Sequence, residues 1–302
     1  MLIARRIPRF LYFTTSCLVS PTMSFSTQRT SDGTITISPK RAQEQSALVV
    51  ISHGLGDTAE GFADVAENLA RAMPYVKFVL PTAPTQPVTL NMGMSMPSWY
   101  DIVGLDERSN ENCHGISESQ ARIARILQEE HDKFGLPYNR MVLAGFSQGG
   151  ALSLFTGLQL PQQLAGIVVM SGYVPAAAQL KVQQPSTPIL HCHGTQDVIV
   201  PYAMAEKSQK MLQSKGVEKY ELQSYPIPHT VSPNELAAVM AFLQQVLPPD
   251  DTCQVTLPDP STMSVKELKA EIRNAGLSKQ ATGLMEKHEF VKLIQDHRQG
   301  KL

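Results

Sequence analysis

The chain has 302 residues, 42% of them hydrophobic and 18% charged, with a formal net charge of −1. That balance belongs to a folded globular protein and excludes a disordered polyelectrolyte or a surface built on electrostatic capture of nucleic acid. Four scattered cysteines, Cys17, Cys113, Cys192 and Cys253, form neither a CxxC pair nor a disulfide framework, so reduced thiols in the cytoplasm and no zinc site are expected. No apolar run approaches the ~20 residues that a spanning helix requires.

Along the chain, the amino-terminal stretch comes first, carrying Arg5, Arg6, Arg9 and Arg29 with many hydroxyl residues and no acid before Asp32. Residues 1–33 read as a targeting segment or a dispensable tail, outside the fold. If residues 1–22 act as a transit peptide, the destination is a mitochondrion or another organelle instead of the cytoplasm, and Met23 is the alternative start. From residue 34 onward short β-branched runs alternate with helical patterns. Thr34 to Ile37, Ala47 to Ile51 and Lys77 to Leu80 predict strands, and Phe62, Val65, Ala66 and Leu69 predict a helix closed by Pro74. Ser117 to Gln120 spells a capping box ahead of a second helix that stops at Gly135. There follow a strand at Arg140 to Gly145, a helix from Gln148 to Leu160, strands at Leu164 to Met170 and Pro188 to Cys192, and a helix from Pro201 to Ser214. Glu221 to Tyr225 and Glu235 to Val246 supply the last strand and helix. The pattern predicts an α/β fold over residues 34–248, a mostly parallel, doubly wound sheet with helices on both faces. Residues 249–261 are proline-rich and polar, a linker. Beyond it, 262–302 predicts a small all-α module of two helices, the first capped by Ser264 and ended by Gly276.

The sharpest chemical signal is Gly145-Phe-Ser147-Gln-Gly149, a G-x-S-x-G pattern between a predicted strand and a predicted helix. A strand that turns abruptly into a helix holds its turn residue in strained geometry, and glycines two residues either side relieve the crowding, so Ser147 is the candidate nucleophile. A serine hydroxyl needs a base, and the base a carboxylate to orient it. Asp197 and His229 follow in that order, each after a strand and on the same sheet edge as Ser147. His53, His114 and His131 precede the serine, and His191 and His193 flank Cys192 in a buried-looking strand; these read as structural, with His53 a partial exception because it lies in the loop Ser52 to Asp57. That loop and the start of the helix after Ser147 offer backbone N–H groups from Leu55 and Gln148 as oxyanion donors. No cofactor or metal is expected.

These residues carry a resemblance. Ser52-His-Gly-Leu-Gly-Asp-Thr58, Val88-Thr-Leu-Asn91 with Met96-Pro-Ser-Trp-Tyr-Asp101, Gly145 to Ser153, and His193-Gly-x-x-Asp197 resemble the acyl-protein thioesterases and lysophospholipases (carboxylesterases) of the α/β-hydrolase fold, over roughly residues 34 to 248. The resemblance implies a serine hydrolase that forms an acyl-enzyme at Ser147 and removes palmitoyl or similar chains from S-acylated proteins. Lysophospholipase or broad carboxylesterase activity is the alternative, and a non-catalytic scaffold for a lipidated partner is the alternative of another class. It also implies the triad Ser147, Asp197 and His229, the donors Leu55 and Gln148, and a flap over an acyl channel with Met92, Met94, Met96 and Trp99. Flexible methionines suit an alkyl chain of variable length, although they equally fill core gaps. Lipidated substrates imply transient contact with a membrane surface. In the histidine loop, Pro226-Ile-Pro228 departs from the more flexible residues expected. Residues 263–295 resemble an SAP-like helical module. There Lys266, Lys269, Arg273, Lys279, Lys287 and Lys292 interleave with Glu267, Glu271, Glu286 and Glu289, which favours docking to a protein partner over nucleic acid.

Overall fold

The structure, a computed structural model, describes residues 25–104, 113–253 and 255–302; the segment 1–22 read as a transit peptide lies outside the described residues. The core of the fold is an eight-stranded sheet built from β1 (Phe25–Arg29), β2 (Ile35–Pro39), β3 (Ala47–Ser52), β4 (Val76–Leu80), β7 (Met141–Phe146), β8 (Gly166–Met170), β9 (Ile189–Gly194) and β10 (Tyr220–Tyr225), in the order β1-β2-β4-β3-β7-β8-β9-β10. From β4 through β10 neighbouring strands are parallel; β2 joins β4, and β1 joins β2, antiparallel.

Parallel strands need helical crossovers, and the sequence supplies α1 (Ala63–Ala72), α2 (Ile116–Phe134), α3 (Gln148–Gly157), α4 (Tyr202–Ser214) and α5 (Pro233–Val246). β3 shows why both faces must be covered: Leu48 and Val50 pack with α2, α3 and α4, whereas Val49 and Ile51 pack with α1 and α5. Each such fully buried aliphatic side chain contributes about 1.5–3 kcal/mol relative to exposure, so the two apolar layers fix the strand register.

The structure departs from the sequence reading in four places. Residues 25–29, assigned to the tail 1–33, form the edge strand β1, registered Phe25 opposite Pro39 through Arg29 opposite Ile35. The capping box at Ser117 is not formed; α2 starts at Ile116 behind Gly115, whose φ of +89° is open to glycine, and Ser119 Oγ bonds the Trp99 carbonyl instead. β9 runs on through Gly194, which draws His193 into the sheet. A separate hairpin, β5 (Thr85–Val88) with β6 (Met94–Pro97), stands where no strand was predicted.

The segment after α5 packs on the sheet's helices: Val255 is buried in the main core and Thr256 N–H donates to the Phe134 carbonyl. Beyond them α6 (Val265–Asn274) and α7 (Lys287–Arg298) enclose a small core of Leu268, Ile272, Leu277, Phe290 and Ile294. Ser264 and Glu267 close a capping box at the start of α6. Gln43 Nε2 donates to the Arg298 carbonyl at 2.7 Å, tying α7 to the turn that precedes β3. Among the described residues no helix is long and apolar enough to cross a membrane.

Candidate active site

Ser147 stands between β7 and α3 with φ 53° and ψ −119°, a left-handed backbone that costs a non-glycine residue of order 1–3 kcal/mol. The glycines two residues either side make the turn feasible. A Cβ on Gly145 would lie 2.3 Å from the Gly149 carbonyl carbon, and one on Gly149 would lie 2.1 Å from the Ser52 carbonyl oxygen. The Ser147 turn is thus pressed against the loop that follows β3. Ser147 N–H donates to the Met170 carbonyl at 2.8 Å, so β8 holds the turn from the other side.

Three candidates from three strand ends meet here. His229 Nε2 is 3.0 Å from Ser147 Oγ, and His229 Nδ1 is 2.6 Å from Asp197 Oδ2. A carboxylate can only accept, so Nδ1 carries the proton and Nε2 is left to accept from the serine hydroxyl. Asp197 is fully enclosed, yet it does not lack partners: Oδ1 accepts from Ile199 N–H at 2.9 Å and Val200 N–H at 2.8 Å. The imidazole also rests beside the Phe146 ring, with centroids 4.8 Å apart.

Behind the aspartate lies a buried chain of neutral groups. His193 Nε2 donates to the Val200 carbonyl at 2.8 Å and lies 3.5 Å from Asp197 Oδ2; its Nδ1 meets His191 Nε2 at 3.2 Å, and His191 Nδ1 meets the Tyr220 hydroxyl. Burial, then the neighbouring His193, pushes His191 down to about 3, and burial lowers His193 as well, so neither imidazole carries charge near neutrality. This chain props the acid loop without adding a charge beside Asp197.

The loop Ser52 to Asp57 lies against Ser147, since a Cβ on Gly54 would come 3.5 Å from Ser147 Cβ. Leu55 is in that loop, and Gln148 is the first residue of α3, where an N–H has no intrahelical acceptor. The Gln148 side chain has its own task, unread in the sequence: it is buried, its Nε2 donates to Ser98 Oγ at 3.0 Å and the Tyr100 carbonyl at 2.7 Å, and its Oε1 accepts from Trp99 N–H at 3.0 Å. It clamps the segment leaving the hairpin to the helix that begins beside Ser147.

The four residues read as an acyl channel are not brought together. Met92 and Met94, 84% and 44% exposed, sit at the hairpin tip in solvent, where a left-handed turn at Met92 and Gly93 carries them outward. Trp99 is wholly buried, its Nε1 donating to the His53 carbonyl at 2.8 Å, so it supports the loop from behind. Met96 is the member beside the site: its sulfur accepts from Asn91 Nδ2 at 3.3 Å and faces Gly56, whose N–H donates to the Pro97 carbonyl. Among the described residues no group of three or more His, Cys, Asp or Glu side chains is arranged to hold a metal ion.

Comparison with known proteins places the chain in a family. Residues 33–247 match the family described as Phospholipase/Carboxylesterase. Acyl-protein thioesterase 1 of Mycosarcoma maydis is 36% identical over 233 residues, 71% of this chain and 97% of that protein. The protein of the same name from Neurospora crassa is 39% identical over 216 residues, covering 67% and 87%. Among solved structures, acyl-protein thioesterase 2 of Zea mays superposes with a TM-score of 0.63 at 29% identity, over 71% of this chain and 98% of that one. SOBER1 of Arabidopsis thaliana does so with 0.59 at 30% identity, over 67% and 99%. The chain therefore belongs to the phospholipase/carboxylesterase family of α/β-hydrolases and is a serine hydrolase.

Proposed function

We propose that the protein removes fatty acyl groups from S-acylated cysteines of other proteins, through an acyl-enzyme at Ser147. The observation that carries this reading is the continuous chain Ser147 Oγ, His229, Asp197 at 3.0 and 2.6 Å. His229 Nε2 takes the hydroxyl proton as Oγ bonds the thioester carbonyl carbon, and the Leu55 and Gln148 N–H groups receive the resulting oxyanion. Collapse expels the cysteine sulfur, which leaves with the proton held by His229. Water, deprotonated by the same imidazole, then releases the fatty acid and restores Ser147. Asp197 keeps the imidazole in the tautomer that can accept.

The relatives named acyl-protein thioesterases support a thioester substrate, and the family description supports the second reading, hydrolysis of oxygen esters such as lysophospholipids. A palmitoyl-thioester peptide and a short oxygen ester, assayed side by side with wild type and Ser147→Ala, separate them. Several orders of magnitude lost on the thioester in Ser147→Ala supports the proposal. Turnover confined to oxygen esters favours the second reading, and no turnover on either substrate leaves only a non-catalytic scaffold. Cys192 and Cys253 are thiols, which suits the cytoplasm. We further read residues 34–248 as the catalytic domain, 249–261 as its linker and 262–302 as an SAP-like module for a protein partner, a division supported by the separate core of Leu268, Ile272, Leu277, Phe290 and Ile294.

A further inference from the structure

His53 is buried, next to the active site, and has no part in the proton transfers. Both of its ring nitrogens are nevertheless engaged. Ala83 N–H lies 2.9 Å from Nε2, and the Gly54 carbonyl oxygen lies 2.7 Å from Nδ1. An amide N–H can only donate, so Nε2 is bare; a carbonyl can only accept, so Nδ1 carries the proton. The two contacts select one neutral tautomer and fix the plane of the ring. Burial works in the same direction by lowering the basicity of the imidazole, outweighing the Gly54 hydrogen bond and the charge of Asp57, while Arg122 adds to the lowering. The residue's own backbone is anchored too, because Trp99 Nε1 donates to the His53 carbonyl and the Trp99 ring lies 5.1 Å from the imidazole.

The acceptor matters more than the donor. The Gly54 carbonyl belongs to the same planar unit as the Leu55 N–H, and in a trans peptide the two point in opposite directions. Whatever holds one end aims the other. The same oxygen accepts a longer bond from Asp57 N–H at 3.2 Å, which closes the turn, but the 2.7 Å bond comes from the His53 ring. Gly54 packs on Phe146 and Ser147, so this peptide lies beside the turn that carries the serine.

We infer that His53 is a positioning residue of the oxyanion hole: through Nδ1–H it holds the Gly54–Leu55 peptide so that the Leu55 N–H faces the reacting carbonyl. The inference rests on the proposed role of Leu55 as an oxyanion donor. Two substitutions separate the ring's two contacts. The amide nitrogen of His53→Asn falls where Nδ1 was and can still donate to Gly54; the amide oxygen of His53→Gln falls where Nε2 was and can still accept from Ala83. His53→Gln is expected to lower kcat about ten- to a hundredfold with KM little changed, and to weaken inhibition by an alkyl trifluoromethyl ketone by the same factor, because that adduct carries the oxyanion. His53→Asn is expected to recover most of both. Equal losses in the two variants, or a fall in kcat without weaker inhibitor binding, would reduce His53 to a packing residue and overturn the inference.

A measurement on the unaltered protein stands even if the variants do not fold. Nitrogen-15 spectra of labelled histidine should show His53 neutral at about pH 7.5 with the proton on Nδ1, and charging only below the pH at which an ordinary histidine does. A proton on Nε2 would overturn the proposal. Ser147→Ala is run in the same kinetic series: turnover surviving in it refutes the serine mechanism itself, an outcome separate from either result at His53.

Discussion

At Gly149 the requirement for glycine is a collision. A methyl group there would stand 2.1 Å from the Ser52 carbonyl oxygen and 2.5 Å from that of His53, both backbone atoms that cannot swing aside. Gly149→Ala should therefore push the oxyanion loop off the nucleophile turn, lowering kcat/KM more than a hundredfold and stability by about 1–3 kcal/mol, the usual cost of overpacking. Esterase assays and urea midpoints check this, and full activity would show that the loop can move without consequence. Ser147, Asp197 and His229 are legible in the sequence because their spacing, their order and their places after strands are local facts. The side chains that aim them are not. Gln148 holds Ser98 to Tyr100, and His53 holds Ala83 N–H, partners tens of residues away that only the folded sheet brings near.

Among the elements, α5 is set by Ser232 and Glu235, whose capping box has Pro233 at the first helical position. The helix follows directly from the histidine loop, so its start bears on His229. Glu235 is fully buried; one carboxylate oxygen takes the Ser232 N–H at 3.3 Å, while Oε1 has no hydrogen-bond partner. Burial pushes its pKa up to about 7 from 4.5, against the smaller opposing effect of the Ser232 bond. A carboxyl that holds its proton more tightly when folded favours folding most below its unfolded value. That contribution fades as pH rises from about 4.5 to 7 and is gone above, a loss on the order of 3 kcal/mol. Glutamine keeps the capping geometry and cannot ionise. Glu235→Gln should match wild type near pH 4.5, exceed it in stability at pH 8 and flatten the curve between, as urea titrations at several pH values will record. The hairpin β5–β6 shows where element reading from sequence stops. Pro87 and Pro97 and a run of methionines between them carry no strand alternation, and the pairing is supported from outside, where Gly56 N–H of the site loop donates to the Pro97 carbonyl. β1 was hidden for a related reason: an edge strand of polar residues becomes a strand only when β2 is there to pair with it.

On the scale of the whole molecule, the proposed catalytic groups and the carboxy-terminal helices occupy opposite edges of the sheet. Ser147, Asp197 and His229 follow the carboxyl ends of β7, β9 and β10, whereas α7 meets Gln43 ahead of β3 and the linker meets Phe134 ahead of β7. Ending the chain after residue 261 should therefore leave kcat and KM for a small ester within about twofold of wild type, since distant, independent sites add with little coupling. A larger loss in the truncated enzyme would reveal contact between the two edges that the fold does not provide. The hairpin, in contrast, is bound into the site. Its last residue, Pro97, receives the Gly56 N–H at 2.8 Å, and the Ser98 to Tyr100 segment is gripped by Gln148, next to Ser147. A fatty chain that presses on the hairpin thereby leans on the oxyanion loop as well. Binding energy gathered along the alkyl tail is then spent on the reaction step, so lengthening the acyl group should raise kcat and not merely lower KM. A series of acyl thioesters from four to sixteen carbons would display this as a turnover rate that climbs with length, the enzyme measuring its substrate by how fast it cuts.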